Sequence, residues 1–199
     1  MSITFAVAQG APIGVVIAEY SASLSRMWRW DRETDTFAPG QFLKGRAYVA
    51  DMSKDGRYAV YFALVHQRPE EAFIAISHPP YFTALAYFPT SPISGEAFFC
   101  DDGSLHVRTR PLIATWRGQT EAVPDRVEPM CPFKITRGED GKIPLIRSLE
   151  DEMRSERQIT AEGYDLIATD RKSGDRRVLA SFPREPFQGI ESPEWAKVW

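Results

Sequence analysis

The residues that could do chemistry are few, and the histidines come first. His66, His78 and His106 are not within metal-ligand spacing of one another, and none lies beside a cysteine or carboxylate in a zinc-binding pattern. His78 stands between Ser77 and Pro79, at a predicted strand end where loops build binding surfaces. His78 is therefore a candidate site residue, although a hydrogen-bonded turn histidine is the simpler interpretation. The sequence predicts no metal site and no cofactor.

Carboxylates and thiols give a second set of candidates. Asp101 and Asp102 could act as acids in hydrolysis, but an Asp before Gly is what a tight turn requires, which explains Asp102 and also Asp55 without catalysis. Cys100 follows two phenylalanines, and no neighbouring base is visible to activate it. Cys100 and Cys131 fit reduced thiols at least as well as a disulfide. No Gly-x-Ser-x-Gly elbow or phosphate-binding loop occurs, so we predict no catalytic residue.

Aromatic residues are the remaining candidates, as binding anchors rather than catalysts. Tyr81 and Phe82 follow two prolines in a predicted loop, where an exposed aromatic ring can dominate an interface. Trp28 and Trp30 share one face of a predicted strand, with Arg29 on the opposite face. Packing is the first explanation for aromatic residues on strands. The predicted binding set is therefore His78, Tyr81, Phe82, Trp28 and Trp30.

Composition and charge restrict the class of partner. The net charge of −3 provides no bulk positive field for a phosphate backbone, so nucleic acid is not an expected partner. No stretch has the length and apolar character of a membrane span, and the first ten residues lack the pattern of a secretory signal. We therefore expect a cytoplasmic protein that does not bind membranes. At 199 residues, one domain is the favoured organisation.

Residues 46–88 carry the clearest structural pattern. They contain four short segments rich in aromatic and β-branched residues, each closed by Gly, Pro, Asp or charge, which is typical of consecutive antiparallel strands. The Asp55-Gly56 turn supplies the positive φ of a tight hairpin. A second Asp-Gly turn, at Gly103, lies 47 positions after Gly56. That distance falls within the roughly 40 to 50 residues of a propeller repeat.

This pattern divides the chain into repeated units. We expect an all-β, mainly antiparallel fold, a small or partial β-propeller of about three four-stranded blades. The predicted blades are residues 1–45, 46–91 and 92–185, the last with an insertion at 110–160 where the strand pattern fails. Residues 143–158 in that insertion have the apolar spacing of one short amphipathic helix. Residues 186–199 are expected to dock as a tail, and the alternation at 194–199 could add a last strand.

Two resemblances accompany this interpretation. The hairpin that contains Trp28 and Trp30, followed by an acidic turn, resembles the outer hairpin of WD40 and TolB-like propeller repeats. Residues 43–90 are similar to a group of uncharacterised bacterial proteins with partial propeller repeats. The resemblance implies a β-rich fold and a bacterial origin, and it implies no activity.

Three functional hypotheses follow. The first is a non-catalytic protein-binding module, which in a bacterial setting would fit an immunity or accessory protein. The second is a hydrolase acting on a glycan or peptide, with His78 and acids from different blades, Asp101 among them, meeting at the ring centre. The third is a structural subunit that self-associates, because three blades are fewer than the four to eight of closed propellers and leave an edge exposed.

Overall fold

The computed structural model describes residues 2–65, 72–90, 95–109, 113–116, 119–122, 124–127, 130–137 and 157–199. Across these residues the chain is all-β and its sheets are mainly antiparallel, as expected. The one helical element within them is a 3₁₀ turn, Glu194–Lys197. Most of the strands form four sheets that stack face to face.

Sheet I is a four-stranded antiparallel meander near the amino terminus. In spatial order its strands are β1 (Ser2–Val7), β2 (Ile13–Ser21), β3 (Leu24–Asp31) and β4 (Thr36–Leu43). β2 is a nearly continuous apolar run, which is typical of a strand covered on both faces. The structure agrees, since the seven residues from Gly14 to Tyr20 are all buried.

Sheet II begins with the second predicted meander. Its consecutive strands are β5 (Arg46–Met52), β6 (Ala59–Leu64), β7 (Ala72–Ser77) and β8 (Ala86–Pro89). All neighbouring pairs are antiparallel. The four predicted segments of residues 46–88 therefore form one sheet.

Sheet III follows as the antiparallel pair β9 (Gly95–Phe99) and β10 (Leu105–Thr109). Next comes a separate hairpin of β11 (Ile113–Trp116) and β12 (Gln119–Ala122). Two very short strands then join earlier sheets: β13 (Arg126–Val127) extends sheet II beside β8, and β14 (Ile135–Arg137) pairs in parallel with β10. The sequence predicts an insertion at 110–160 without a strand pattern, yet β11 to β14 lie in it. Strands of two to four residues are too short to show periodicity in the sequence.

Sheet IV is an antiparallel meander of β15 (Arg157–Glu162), β16 (Asp165–Asp170) and β17 (Arg176–Ser181). The sequence had placed its last two strands in the third blade. Instead, sheet III packs on sheet II while sheet IV packs on sheet I. Residues 92–185 therefore contribute to separate sheets rather than to one blade.

Three apolar layers hold the stack together. The layer between sheets I and II includes Val15, Met27, Val49, Tyr61 and Ala75. The layer between sheets II and III includes Val60, Ile74, Phe88, Phe99 and Leu105. The layer between sheets I and IV includes Val16, Trp28, Trp30, Leu166 and Phe182. The order is thus III, II, I, IV, and each fully buried large apolar side chain contributes about 1.5 to 3 kcal/mol to folding.

The first strands of sheets I, II and III run in the same direction. At the carboxyl end of β1, the Gly10 amide donates to the Lys54 carbonyl just after β5, at 2.8 Å. At the carboxyl end of β5, the Asp51 carboxylate accepts from the amide of Phe99, which closes β9, at 2.7 Å. The loops at this end of the three sheets therefore lie together, and we call it the loop end.

The first strand of sheet IV runs in the opposite direction to the first strands of sheets I, II and III. Tyr164, which follows β15, packs against Tyr20 with ring centroids 5.8 Å apart, and Tyr20 lies far from the loop end. Arg157, which begins β15, donates to Asp35 in the β3–β4 turn at 2.8 Å. β15 is therefore antiparallel in direction to β1, unlike β5 and β9.

Two further expectations concern helix and tail. The predicted helix at residues 143–158 lies outside the described residues, apart from its last two, which begin β15. The predicted last strand is wrong, since Glu194–Lys197 forms the 3₁₀ turn. Pro193 precedes the turn and its carbonyl accepts from the Ala196 amide at 2.9 Å. No helix among the described residues is long and apolar enough to cross a membrane.

Candidate binding cleft

A cleft of about 600 Å³ opens at the loop end, where sheets I and II meet. Its lining includes side chains from β3, from the β5–β6 turn, from the loop after β7 and from the end of the chain: Arg29, Asp55, Arg57, His78, Trp195 and Trp199. We call it the His78 cleft. Of the described histidines, His78 is in the cleft and His106 is in sheet III, while His66 lies outside the described residues.

The β5–β6 turn positions one side of the cleft. Asp55 Oδ1 accepts hydrogen bonds from the Ser53 hydroxyl at 2.7 Å and from the Arg57 amide at 3.1 Å. Gly56 has a φ of +74°, and a Cβ there would lie 2.7 Å from Cβ of Ile13. Glycine is thus required both for the left-handed backbone and for close contact with sheet I. The turn chemistry predicted for Asp55 is what the structure contains.

His78 is 6% exposed and is held from both sides. Its Nδ1 lies 2.9 Å from the Arg57 carbonyl, and its Nε2 lies 2.9 Å from the Val198 carbonyl. A carbonyl oxygen only accepts, so a ring nitrogen that carries a proton donates to its carbonyl. Each ring nitrogen therefore faces a backbone carbonyl oxygen. The ring joins the β5–β6 turn to the end of the chain.

The chain end reaches the cleft along β4, the edge strand of sheet I. Residues 183–199, which we call the strap, begin after sheet IV. Glu185 in the strap forms an ion pair with Arg26 on β3. Arg26 is stacked over the Phe42 ring at 4.5 Å. Further along, Gln41 donates to the Ile190 carbonyl at 2.9 Å. The strap thus follows β4 toward the loop end.

The strap then crosses the loop end and finishes on sheet III. The Trp195 ring packs on His78 at 5.6 Å and on Tyr81 at 5.5 Å. The Trp199 ring packs on Tyr58 at 5.6 Å and on Phe133, next to sheet III, at 5.8 Å. One segment therefore runs from the end of sheet IV past sheet I to residues beside sheets II and III, and Trp195 remains 56% exposed at the rim of the cleft.

The predicted aromatic anchors divide into two groups. Tyr81 is half-buried against Trp195, next to the rim of the cleft but not in its lining. Phe82 is 8% exposed within the layer between sheets I and II, and its carbonyl accepts from the Tyr61 hydroxyl at 2.6 Å. The expectation of an exposed Phe82 is therefore not met. The ring packs the core behind the cleft.

Trp28 and Trp30 do share a face, as the alternation predicted, but that face is the core between sheets I and IV. The Trp28 ring lies 4.8 Å from Phe182, and the Trp30 ring stacks on Phe37 at 5.5 Å. Both tryptophans are buried. These two residues stabilise the fold and present no ring surface at the cleft.

The other candidates for chemistry do not join His78. Asp101 is exposed and Asp102 belongs to the turn between β9 and β10, where the Ser104 amide donates to Asp102 Oδ1 at 2.8 Å. Hydrogen bonds from Ser104 lower the pKa of Asp102. Cys100 and Cys131 are both free thiols. Among the described residues, no group of three His, Cys, Asp or Glu side chains could hold a metal ion.

Sequence reasoning did not select Arg29, Arg57 or Trp195 for a site. The available signal was the strand alternation, which placed Arg29 opposite Trp28 and therefore on the side of sheet II. Arg57 follows a predicted turn, where a long basic side chain is common and carries little information. Nothing local indicated that Trp195 would come to lie beside His78, because the contact depends on the path of the strap.

No protein-family model matches the chain, and no curated protein and no solved structure is significantly similar to it. The geometry of the cleft is therefore the basis for assigning a function.

Proposed function

We propose that this chain is a non-catalytic protein-binding module, and that the His78 cleft receives a segment of its partner. The observation that carries the proposal is the cleft itself, about 600 Å³ in volume, with an exposed Trp195 at its rim. Tryptophan and arginine are the residues that most often dominate binding energy at protein interfaces. Here Trp195, Arg29 and Arg57 line one opening.

The architecture proposed for this module is an open, partial propeller. Sheets I, II and III pack face to face, and their first strands run in the same direction, which supports this description. The reversed direction of sheet IV departs from a simple repeat. In a bacterial cell, such a module fits the role of an immunity or accessory protein that occludes a partner.

The hydrolase hypothesis has less support. A general base must present a free lone pair within reach of its substrate. Both ring nitrogens of His78 face backbone carbonyls, and Asp101 does not line the cleft. The photocrosslinking experiment below also tests the self-association hypothesis, because the mass of the crosslinked species distinguishes a second copy of this chain from a different protein.

The test is site-specific photocrosslinking in a lysate of the native host. A photoreactive phenylalanine analogue replaces Tyr81 at the cleft or, as the control, Val178, which is 56% exposed on sheet IV. We expect a discrete crosslinked species from position 81, its loss in the Trp195→Ala background, and none from position 178. Equal crosslinking from both positions would contradict the proposal. Turnover of a glycan or peptide substrate that disappears in a folded His78→Phe variant would establish the hydrolase instead.

A further inference from the structure

We infer that the His78 cleft recognises an acidic segment of its protein partner, in which a carboxylate lies next to an aromatic residue. This inference rests on the proposed function and specifies the chemistry of the partner. It follows from the charges, the exposed ring and the size of the cleft.

Two arginines of the cleft carry positive charges that no ion pair balances in the described part of the chain. Arg29 is half-buried on β3 and Arg57 is exposed at the β5–β6 turn, and among the described residues neither guanidinium has an ion-pair partner. By contrast, Arg26, Arg157 and Arg177 are each paired with a carboxylate. Arg57 also makes a cation–π contact with the adjacent Tyr58, whose ring centre lies 5.5 Å from the guanidinium carbon.

A guanidinium binds carboxylates with two parallel hydrogen bonds, which gives both strength and orientation. The chain as a whole carries a net charge of −3. Two unpaired arginines in one cleft therefore form a local site for an anion on an acidic protein, rather than part of a general basic surface.

Asp55 restricts which anion can enter. Its Oδ1 is occupied by the Ser53 hydroxyl and the Arg57 amide, so the carboxylate is fixed at the edge of the cleft. A densely charged polyanion such as nucleic acid would be repelled there, whereas one or two carboxylates directed at Arg29 and Arg57 would not. The exposed Trp195 ring supplies the apolar surface for a neighbouring aromatic side chain.

The experiment uses the whole chain and two fluorescein-labelled heptapeptides. The probe is Gly-Leu-Glu-Trp-Glu-Leu-Gly, and its uncharged counterpart replaces both Glu with Gln. We expect the acidic probe to bind at least tenfold more tightly by fluorescence anisotropy, with affinity that falls as salt increases. In an Arg29→Gln, Arg57→Gln variant this preference should fall below threefold. Arg176→Gln, which removes a charge paired with Glu162 on sheet IV, should leave the preference unchanged.

The outcomes separate this inference from the proposed function. Equal binding of both probes, or a preference that survives in the double variant, overturns charge recognition. Failure of both probes overturns recognition of short acidic segments. In either case crosslinking through position 81 would still support a protein-binding cleft, and loss of that crosslinking would remove the proposed function itself. Circular dichroism of the double variant establishes that the comparison is made between folded proteins.

Discussion

The side-chain amide of Gln41 donates a hydrogen bond of 2.7 Å to the hydroxyl of Ser192, 151 positions further along the chain. The same amide nitrogen donates to the Ile190 carbonyl, and the Gln41 oxygen accepts from the Phe82 amide at 2.7 Å. One residue on β4 therefore joins the strap to the loop that carries Tyr81. Through that loop, the strap and the wall of the His78 cleft are mechanically connected.

Gln41→Ala should detach the strap and lower stability. The substitution removes three hydrogen bonds and leaves the Phe82 amide without its acceptor. We expect the free energy of unfolding to fall by about 2 to 4 kcal/mol, since a net hydrogen bond contributes roughly 1 kcal/mol and an unsatisfied buried group costs roughly 1 to 3. Urea unfolding measures this change. The exposed Gln158 provides the control, because Gln158→Ala should change stability by less than about 0.5 kcal/mol.

His78→Phe should release the last residues of the chain without destroying the fold. Phenylalanine keeps a ring beside Tyr58 and Trp195 but gives no donor to the Val198 carbonyl. We expect faster amide hydrogen exchange at residues 194–199 and a loss of about 1 to 3 kcal/mol in the free energy of unfolding. Asp101→Ala is the control: Asp101 lies in an exposed turn, so this substitution should change neither the exchange at residues 194–199 nor the free energy of unfolding. Unchanged exchange at 194–199 in His78→Phe would show that the strap is held without this residue.

Local chemistry explains what could be predicted from the sequence. The Asp55-Gly56 and Asp102-Gly103 turns were predictable because Asp hydrogen-bonds its own turn and Gly adopts positive φ, here +74° and +78°. The strands of residues 46–88 were predictable for a similar reason, since each is long enough to show its composition. These are properties of neighbouring residues.

The remaining features depend on contacts between distant residues. Alternation established that Trp28 and Trp30 share a face, but it could not show whether another sheet covers that face. β13 and β14 have only two and three residues, so their pairing with sheets II and III leaves no pattern in the sequence. Trp195 reaches His78 only because the strap crosses from sheet IV to the loop end, which no local signal encodes.

His106 predicts a pH dependence of stability. The residue is buried on β10, its ring packs on Phe98 at 4.9 Å, and burial is the main cause that lowers its pKa, ahead of the opposing effect of Glu96. The unfolded chain then binds a proton more readily than the folded chain. The contribution of His106 to stability should therefore be constant above the unfolded pKa of about 6.5 and should decrease as the pH falls below it.

Urea unfolding at pH 7.5 and pH 5.5 checks this expectation, with His106→Gln as the comparison. The variant has no titrating group at this position, so the loss of stability between the two pH values should be smaller than in the natural chain. An equal loss in both proteins would assign the pH dependence to other groups. Titration of the His106 ring protons by NMR measures the direction of the shift independently.

Gly40→Ala should be among the most damaging small substitutions in the chain. A Cβ at this position on β4 would lie 2.0 Å from the Pro80 carbonyl oxygen and 2.3 Å from Pro80 Cβ, so the backbone must move. The movement would stretch the hydrogen bond that the backbone amide of Gln41 donates to the Pro80 carbonyl, which is 3.0 Å long and lies beside the wall of the His78 cleft. We expect a loss of about 2 to 3 kcal/mol in the free energy of unfolding, in the upper range for overpacking.

Gly189→Ala in the strap is the matched control, because its Cβ would meet no atom within 4 Å and its effect should stay within about 0.5 kcal/mol. Equal stability of the two variants would mean that β4 and the loop after β7 do not approach as closely as described.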